Sequence, residues 1–114
     1  MSDFQVTVKE VDDVVVIATE GYLNNIGGEK ISEVCDEHMD KGKSKFLINL
    51  EKSTVVNSIG VSILIEIIEK LQGVDGKLAY CNLASIVEKT FNIMGLTKYC
   101  EVYDSIDSGV EKLS

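Results

Sequence analysis

The 114-residue chain contains no arginine and no proline, one histidine and three cysteines, and each shortage removes a class of function. Without arginine all eleven cations are lysine, so the planar fork that clamps phosphates bidentately, or serves as a catalytic finger, is missing. Nineteen acidic residues leave a net charge of −8, which argues against direct nucleic-acid binding, since that binding rests on basic side chains meeting the phosphate backbone. A partner with a basic surface fits the charge better. Without proline, low-complexity runs or internal repeats, nothing marks a linker, and residues 1–114 are expected to form a single domain with one continuous core.

Cys35, Cys81 and Cys100 are odd in number, lack CxxC spacing and lie in apolar stretches, as expected for reduced thiols packed in a cytoplasmic protein. One histidine with three scattered cysteines offers no zinc-ligand spacing, so no metal and no cofactor are expected. No apolar run approaches the roughly 20 residues that span a bilayer, and the opening MSDFQVTVKE has neither the basic start nor the apolar core of a signal peptide. Membrane insertion and secretion are not expected.

What the chain does contain is alternation between two periodicities. Phe4, Val6 and Val8 alternate with Gln5, Thr7 and Lys9 as in a half-exposed strand; Asp12 and Asp13 turn the chain into Val14 to Thr19, a β-branched run suited to a buried strand. Ile31, Val34, Cys35 and His38 predict a first helix from about residue 28 to 41, with Gly27 and Gly28 read as helix punctuation and Gly42 as its stop. Strands follow at Lys45 to Leu50, Lys77 to Asn82 and Cys100 to Tyr103. Helices are predicted at Ser58 to about Gln72, Ser85 to Met94 and Ser105 to Leu113. The order implies an α/β fold, antiparallel at its start and parallel later, with helices covering the sheet.

An enzyme is not expected. Cys35 and His38 stand three apart on the first helix and could meet as a nucleophilic pair, the leading enzymatic alternative, but neither an orienting group nor an oxyanion site is apparent, and no catalytic residue is assigned. A phospho-aspartate receiver would need acidic residues at the ends of its first and third strands. Here Asp12 and Asp13 fall between two strands, and the later position carries Asn57 and Ser58.

The stretch VVNSIGVSILIEIIEKL, residues 55 to 71, concentrates the chemistry. Ser58 falls where a strand-loop meets a helix and has two readings. It is a preferred N-cap residue, and it is also a site where a phosphoryl group would sit favourably at the positive end of the helix while adding about −1.5 to −2 charges. At 100° per residue Gly60, Leu64, Ile67, Ile68 and Leu71 form the core face, whereas Ser62, Glu66, Glu69 and Lys70 lie opposite. Ile59 projects among the polar set, where a docking surface would use it, and Gly60 is assigned to close packing of the helix start.

With these residues in view the chain resembles the STAS domain family, the bacterial anti-sigma factor antagonists. The resemblance runs through the opening strand pair, the EGYLNN turn, LINLEKSTVVNSIG, GKLAYCNL and VEKTFNIMGLTKYCEVYDS. The family's pattern of Asp-Ser-Ser-Gly or Asp-Ser-Thr-Gly before an apolar helix reads Asn57-Ser58-Ile59-Gly60 here. The resemblance implies a mixed sheet of four to five strands with about four helices. It also implies a non-enzymatic partner switch, a monomer or weak homodimer that binds an anti-sigma factor with serine-kinase activity when unphosphorylated.

Phosphorylation at Ser58 would release that partner, and a serine phosphatase would restore binding. Asn24, Asn57, Ile59 and Ser62 join Ser58 as expected partner-binding residues. Asn57 and Asn24 replace aspartates usual in the family, and Ile59 replaces a small hydroxyl residue, so kinase recognition is expected to differ or the chain to remain in its binding form. The family also supplies accessory subunits of phospholipid ABC transporters and parts of stress-sensing assemblies, the alternative role without a phosphorylation switch.

Overall fold

A computed structural model describes residues 4–114. Strand β1 (Gln5–Val11) pairs antiparallel with β2 (Val14–Glu20), and because Val11 lies opposite Val14 the connection is only Asp12 and Asp13. Asp12 takes φ 57°, the left-handed conformation that such a tight hairpin requires and that aspartate tolerates better than most residues. The chain continues through α1 (Asn25–Asp40), β3 (Lys45–Lys52), α2 (Ser58–Gln72), β4 (Lys77–Cys81) and α3 (Ser85–Ile93). A 3-10 turn at Leu96–Lys98, β5 (Glu101–Tyr103) and α4 (Ile106–Leu113) complete it.

The five strands lie in sequence order, with β2·β3, β3·β4 and β4·β5 all parallel. Consecutive parallel neighbours joined by crossovers of one hand place their helices on one face of the sheet. Accordingly Val15, Ile17, Phe46, Ile48, Leu50 and Tyr80 form the larger core with Ile31 and Cys35 of α1, Leu64 and Ile67 of α2, and Val87 and Phe91 of α3. On the opposite face Val14, Val16, Leu47, Ala79 and Cys81 pack against Val110 and Leu113 of α4. This explains why β2 reads as an uninterrupted apolar run: it is buried on both sides.

The mixed sheet and the element order agree with the sequence reading, and the differences lie at element ends. Helix α1 begins at Asn25, so Gly27 and Gly28 are inside it and do not punctuate it. Each permits a close approach that only the tertiary fold creates. A Cβ on Gly27 would stand 2.8 Å from the Phe4 ring, and one on Gly28 would stand 2.9 Å from Ile63 of α2. Strand β1 is an edge; Phe4 is buried under α1 while Val8 is 38 % exposed. No helix among the described residues is long and apolar enough to cross a membrane.

Candidate functional site

The start of α2 differs in one respect from a Ser58-capped helix. Asn57 is the N-cap: it has extended backbone angles, φ −124° and ψ 171°, and its Oδ1 accepts the Gly60 N–H at 2.9 Å. Two adjacent residues of cap type compete here, and a contact distant in sequence decides between them. The Asn57 N–H donates to the Leu23 carbonyl at 3.1 Å, the Leu23 N–H donates to the Val55 carbonyl at 2.9 Å, and Leu23 and Val56 form a parallel bridge. That stitch holds Asn57 extended, as a cap must be, and pushes Ser58 into the first helical position. The reading of Ser58 as the cap is therefore corrected.

Released from capping, the Ser58 side chain is exposed and makes no hydrogen bond among the described residues. Its carbonyl instead accepts the Ser62 hydroxyl at 2.8 Å one turn later. The neighbouring helix repeats the arrangement: Asn24 caps α1, its Oδ1 accepting the Gly27 N–H at 3.1 Å. The stitch sets the two helix starts side by side, and Gly60 makes this possible. A Cβ there would press into the Leu23 carbonyl, lying 2.9 Å from its carbon and 3.0 Å from the Asn24 oxygen.

Both caps are neutral amides and neither helix carries an acid in its first turn. The positive ends of two helix dipoles are thus uncompensated beside Ser58, a setting that favours an added anion. Around it the apolar surface is larger than the sequence indicated. Ile59 is 56 % exposed as expected, and Ile26, Val55 and Tyr22, at 56 %, 56 % and 46 %, stand on the same two stitched loop-helix junctions. Tyr22, Ile26 and Val55 were not legible as a group, because only the Leu23–Val56 bridge brings residues some 30 positions apart together.

Asn24, Asn57, Ser58 and Ile59 therefore meet at one end of the α1–α2 pair, with Ser62 one turn further along the exposed side of α2. The core face comprises Gly60, Leu64, Ile67, Ile68 and Leu71, joined by Val61, and Lys70 on the outer face pairs with Asp36 of α1 at 3.1 Å.

Cys35 and His38 do not hydrogen-bond to each other among the described residues. Burial pushes the Cys35 thiol up to about 12, with the Asp36 charge adding to the effect, so the thiolate is strongly disfavoured. His38 directs Nδ1 to the Val34 carbonyl at 2.8 Å. Among the described residues no cluster of three or more His, Cys, Asp or Glu could hold a metal ion.

Comparison with known proteins places this geometry. A protein of Bordetella bronchiseptica named as a candidate anti-sigma factor antagonist, BtrV, is 23% identical over 101 residues, covering 89% of this chain and 87% of that one. The crystal structure of a candidate anti-sigma factor antagonist from Thermotoga maritima superposes with a TM-score of 0.86 at 24% identity, covering 95% of this chain and 93% of that one. The Bacillus cell-fate determinant SpoIIAA in its phosphorylated form superposes with a TM-score of 0.76 at 20% identity, covering 96% and 100%. The STAS domain model matches residues 5–109, nearly the whole of the described fold including both stitched junctions, and the chain accordingly belongs to the STAS domain family.

Proposed function

We propose that this protein is an anti-sigma factor antagonist that works by partner switching, binding and not catalysing. In its unmodified form the end of the α1–α2 pair docks an anti-sigma factor that is also a serine kinase. Phosphorylation of Ser58 releases that partner, and a serine phosphatase resets the switch. The observation that carries the reading is an exposed Ser58 hydroxyl, freed from capping by Asn57, on a pair of stitched loop-helix junctions that also expose Tyr22, Ile26, Val55 and Ile59. The relatives' names point the same way.

The two roles coexist physically. Apolar groups that exclude water on docking supply affinity, whereas a dianion placed among them would have to be desolvated or paired, which opposes the same docking. The uncompensated helix starts stabilise the phosphoryl group in the free protein, widening the difference between the two states. Neutral Asn57 and Asn24 keep the caps without adding negative charge near the acceptor, so a kinase selecting for acid beside its target serine would act poorly here.

Affinity capture from the native lysate with the unmodified chain and with Ser58→Asp tests the reading. Retention of an ATP-binding kinase by the first and its loss from the second is the expected result, with phosphate incorporation confined to Ser58. Retention indifferent to Ser58 would remove the switch, and capture of a transporter ATPase by both forms would move the protein to the accessory-subunit role.

A further inference from the structure

At the other end of α2 from Ser58, a distance of about 21 Å along a fifteen-residue helix, lies a cleft of about 380 Å³ that the proposed switch does not use. It opens because β5 is short. The first β4 residue paired with β5 is Ala79, opposite Glu101, and the chain before Glu101 swings outward as the 3-10 turn and Tyr99. The cleft runs between that turn, the start of β4 and the C-terminal half of α2, with the end of α4 closing one side.

Its charge is opposite to that of the molecule. The ionisable lining comprises Lys77, Lys98, Lys112, Tyr99, Tyr103, Cys100 and Glu101; at neutral pH that is three cations against one anion, in a chain whose net charge is −8. Of the eight lysines outside the cleft, Lys41, Lys43, Lys45 and Lys70 pair with carboxylates and Lys30 donates to the Phe4 carbonyl, while Lys9, Lys52 and Lys89 have no such partner among the described residues and do not share a cleft with one another. Among the described residues none of the three cleft lysines has a carboxylate partner, and all three are exposed. The lining also carries a second chemistry. Tyr99 is 60 % exposed, and across it the cleft continues onto a shelf formed by Ile65, Ile68 and Gln72, with the Glu69 carboxylate on the same shelf, so that the anionic end of a ligand is directed to the lysine half.

From a cationic half adjoining an aromatic and aliphatic half we infer that this cleft binds a small phosphate monoester with an aromatic body. Its phosphate would lie among Lys77, Lys98 and Lys112 and its ring on Tyr99 and the isoleucine shelf. Lysine ammonium groups act on phosphate as mobile point charges, which suits a monoester that needs charge more than bidentate geometry. The volume falls within the range of small-molecule pockets, and aromatic stacking supplies the discrimination that charge alone lacks. No covalent step is implied, since the Cys100 thiol donates to the Leu96 carbonyl at 3.3 Å and burial pushes it up to about 12.

The test is a titration of the full chain with 1-naphthyl phosphate, followed by backbone amide NMR, with inorganic phosphate in parallel. Saturable shifts confined to Gln72, residues 77–79, residues 97–101 and Lys112 are expected, with a dissociation constant below about 1 mM. Each of Lys77→Gln, Lys98→Gln and Lys112→Gln should weaken binding roughly threefold or more, and raised salt should do likewise. Tyr99→Ala should bring the naphthyl ester down to the level of inorganic phosphate. Because all four side chains are exposed, an unchanged thermal midpoint confirms that the variants fold. Absence of saturable shifts, equal binding of inorganic phosphate by the unmodified chain, or indifference to the lysine substitutions would each overturn the assignment. Partner retention at Ser58 is read separately and does not bear on it.

Discussion

Replacing Gly60 by alanine should be among the most damaging single-methyl additions this protein can suffer. In an exposed helix interior the change would stabilise by up to about 1 kcal/mol, because alanine is the better helix former. Here the new Cβ would enter the Leu23 carbonyl group and stand 3.0 Å from the Asn24 oxygen, and both neighbours are backbone. Neither can yield freely, since Leu23 is held on one side by Val55 at 2.9 Å and on the other by Asn57 at 3.1 Å. Overpacking costs typically about 1–3 kcal/mol, and loosening the two hydrogen bonds adds about 0.5–1.5 kcal/mol each. After subtracting the propensity gain, a net loss of about 1–5 kcal/mol is expected, centred near ~3 kcal/mol, a sizeable part of the roughly 5–15 kcal/mol that holds an ordinary domain together.

Urea denaturation reads the central value as a lowered midpoint, by roughly 1–3 M for slopes usual in small proteins. The matching control is Gly28→Ala, also within a helix and near its start, whose Cβ would meet the Ile63 side chain at 2.9 Å. A side chain can rotate away where a carbonyl cannot, so Gly28→Ala should cost less than about 1.5 kcal/mol. Gly60→Ala as stable as Gly28→Ala, or as the unmodified chain, would refute the claim that α2 starts hard against the Leu23 backbone. It would also remove the reason for placing Ser58 outside the cap.

Three other outcomes follow from the same geometry. Asn57→Ala should lower stability by about 0.5–2 kcal/mol through loss of the cap, whereas Asn57→Asp should keep the cap and gain a few tenths from the helix dipole; equal midpoints for the two would contradict Asn57 as the capping residue. Tyr80 is fully buried and its hydroxyl has no hydrogen-bond partner among the described residues, so Tyr80→Phe should be neutral or stabilising by up to about 1 kcal/mol, and a loss of that size would reveal a partner for the hydroxyl. Burial raises the thiols of Cys35 and Cys100 to about 12 and that of Cys81 to about 11, above the ordinary value of about 8.5. A raised folded-state value means that the unfolded chain loses its protons first. The stabilisation is therefore complete below about pH 8.5 and falls as the pH rises through about 11–12, and chemical denaturation across that range should show the decline, steeper than in a variant with all three thiols replaced by alanine.

Periodicity settles the element types because it is a local property: a period of two or of 3.6 is set by neighbours within a few residues. Hence the hairpin turn at Asp12 and Asp13, the apolar strand Val14 to Thr19, the core face of α2 and the exposure of Ile59 were all legible in the chain. The Asn57-Ser58-Ile59-Gly60 run and its similarity to the family motif were legible for the same reason. Side chains at element ends obey a different rule. Which of two adjacent cap-type residues turns the chain depends on differences of about a kilocalorie, and here a hydrogen bond from Asn57 to Leu23, 34 residues earlier, decides it.

Other long-range contacts admit Gly27 and Gly28 into α1, expose Tyr22, Ile26, Val55 and Ile59 on the two junctions that meet at the start of α2, and collect three lysines of an acidic chain into one cleft. The amino-acid order alone determined the elements, their succession and the identity of the exposed serine. The packing of elements distant in the chain decided what that serine is free to do, because a hydroxyl is available for chemistry only when another residue has taken over the cap.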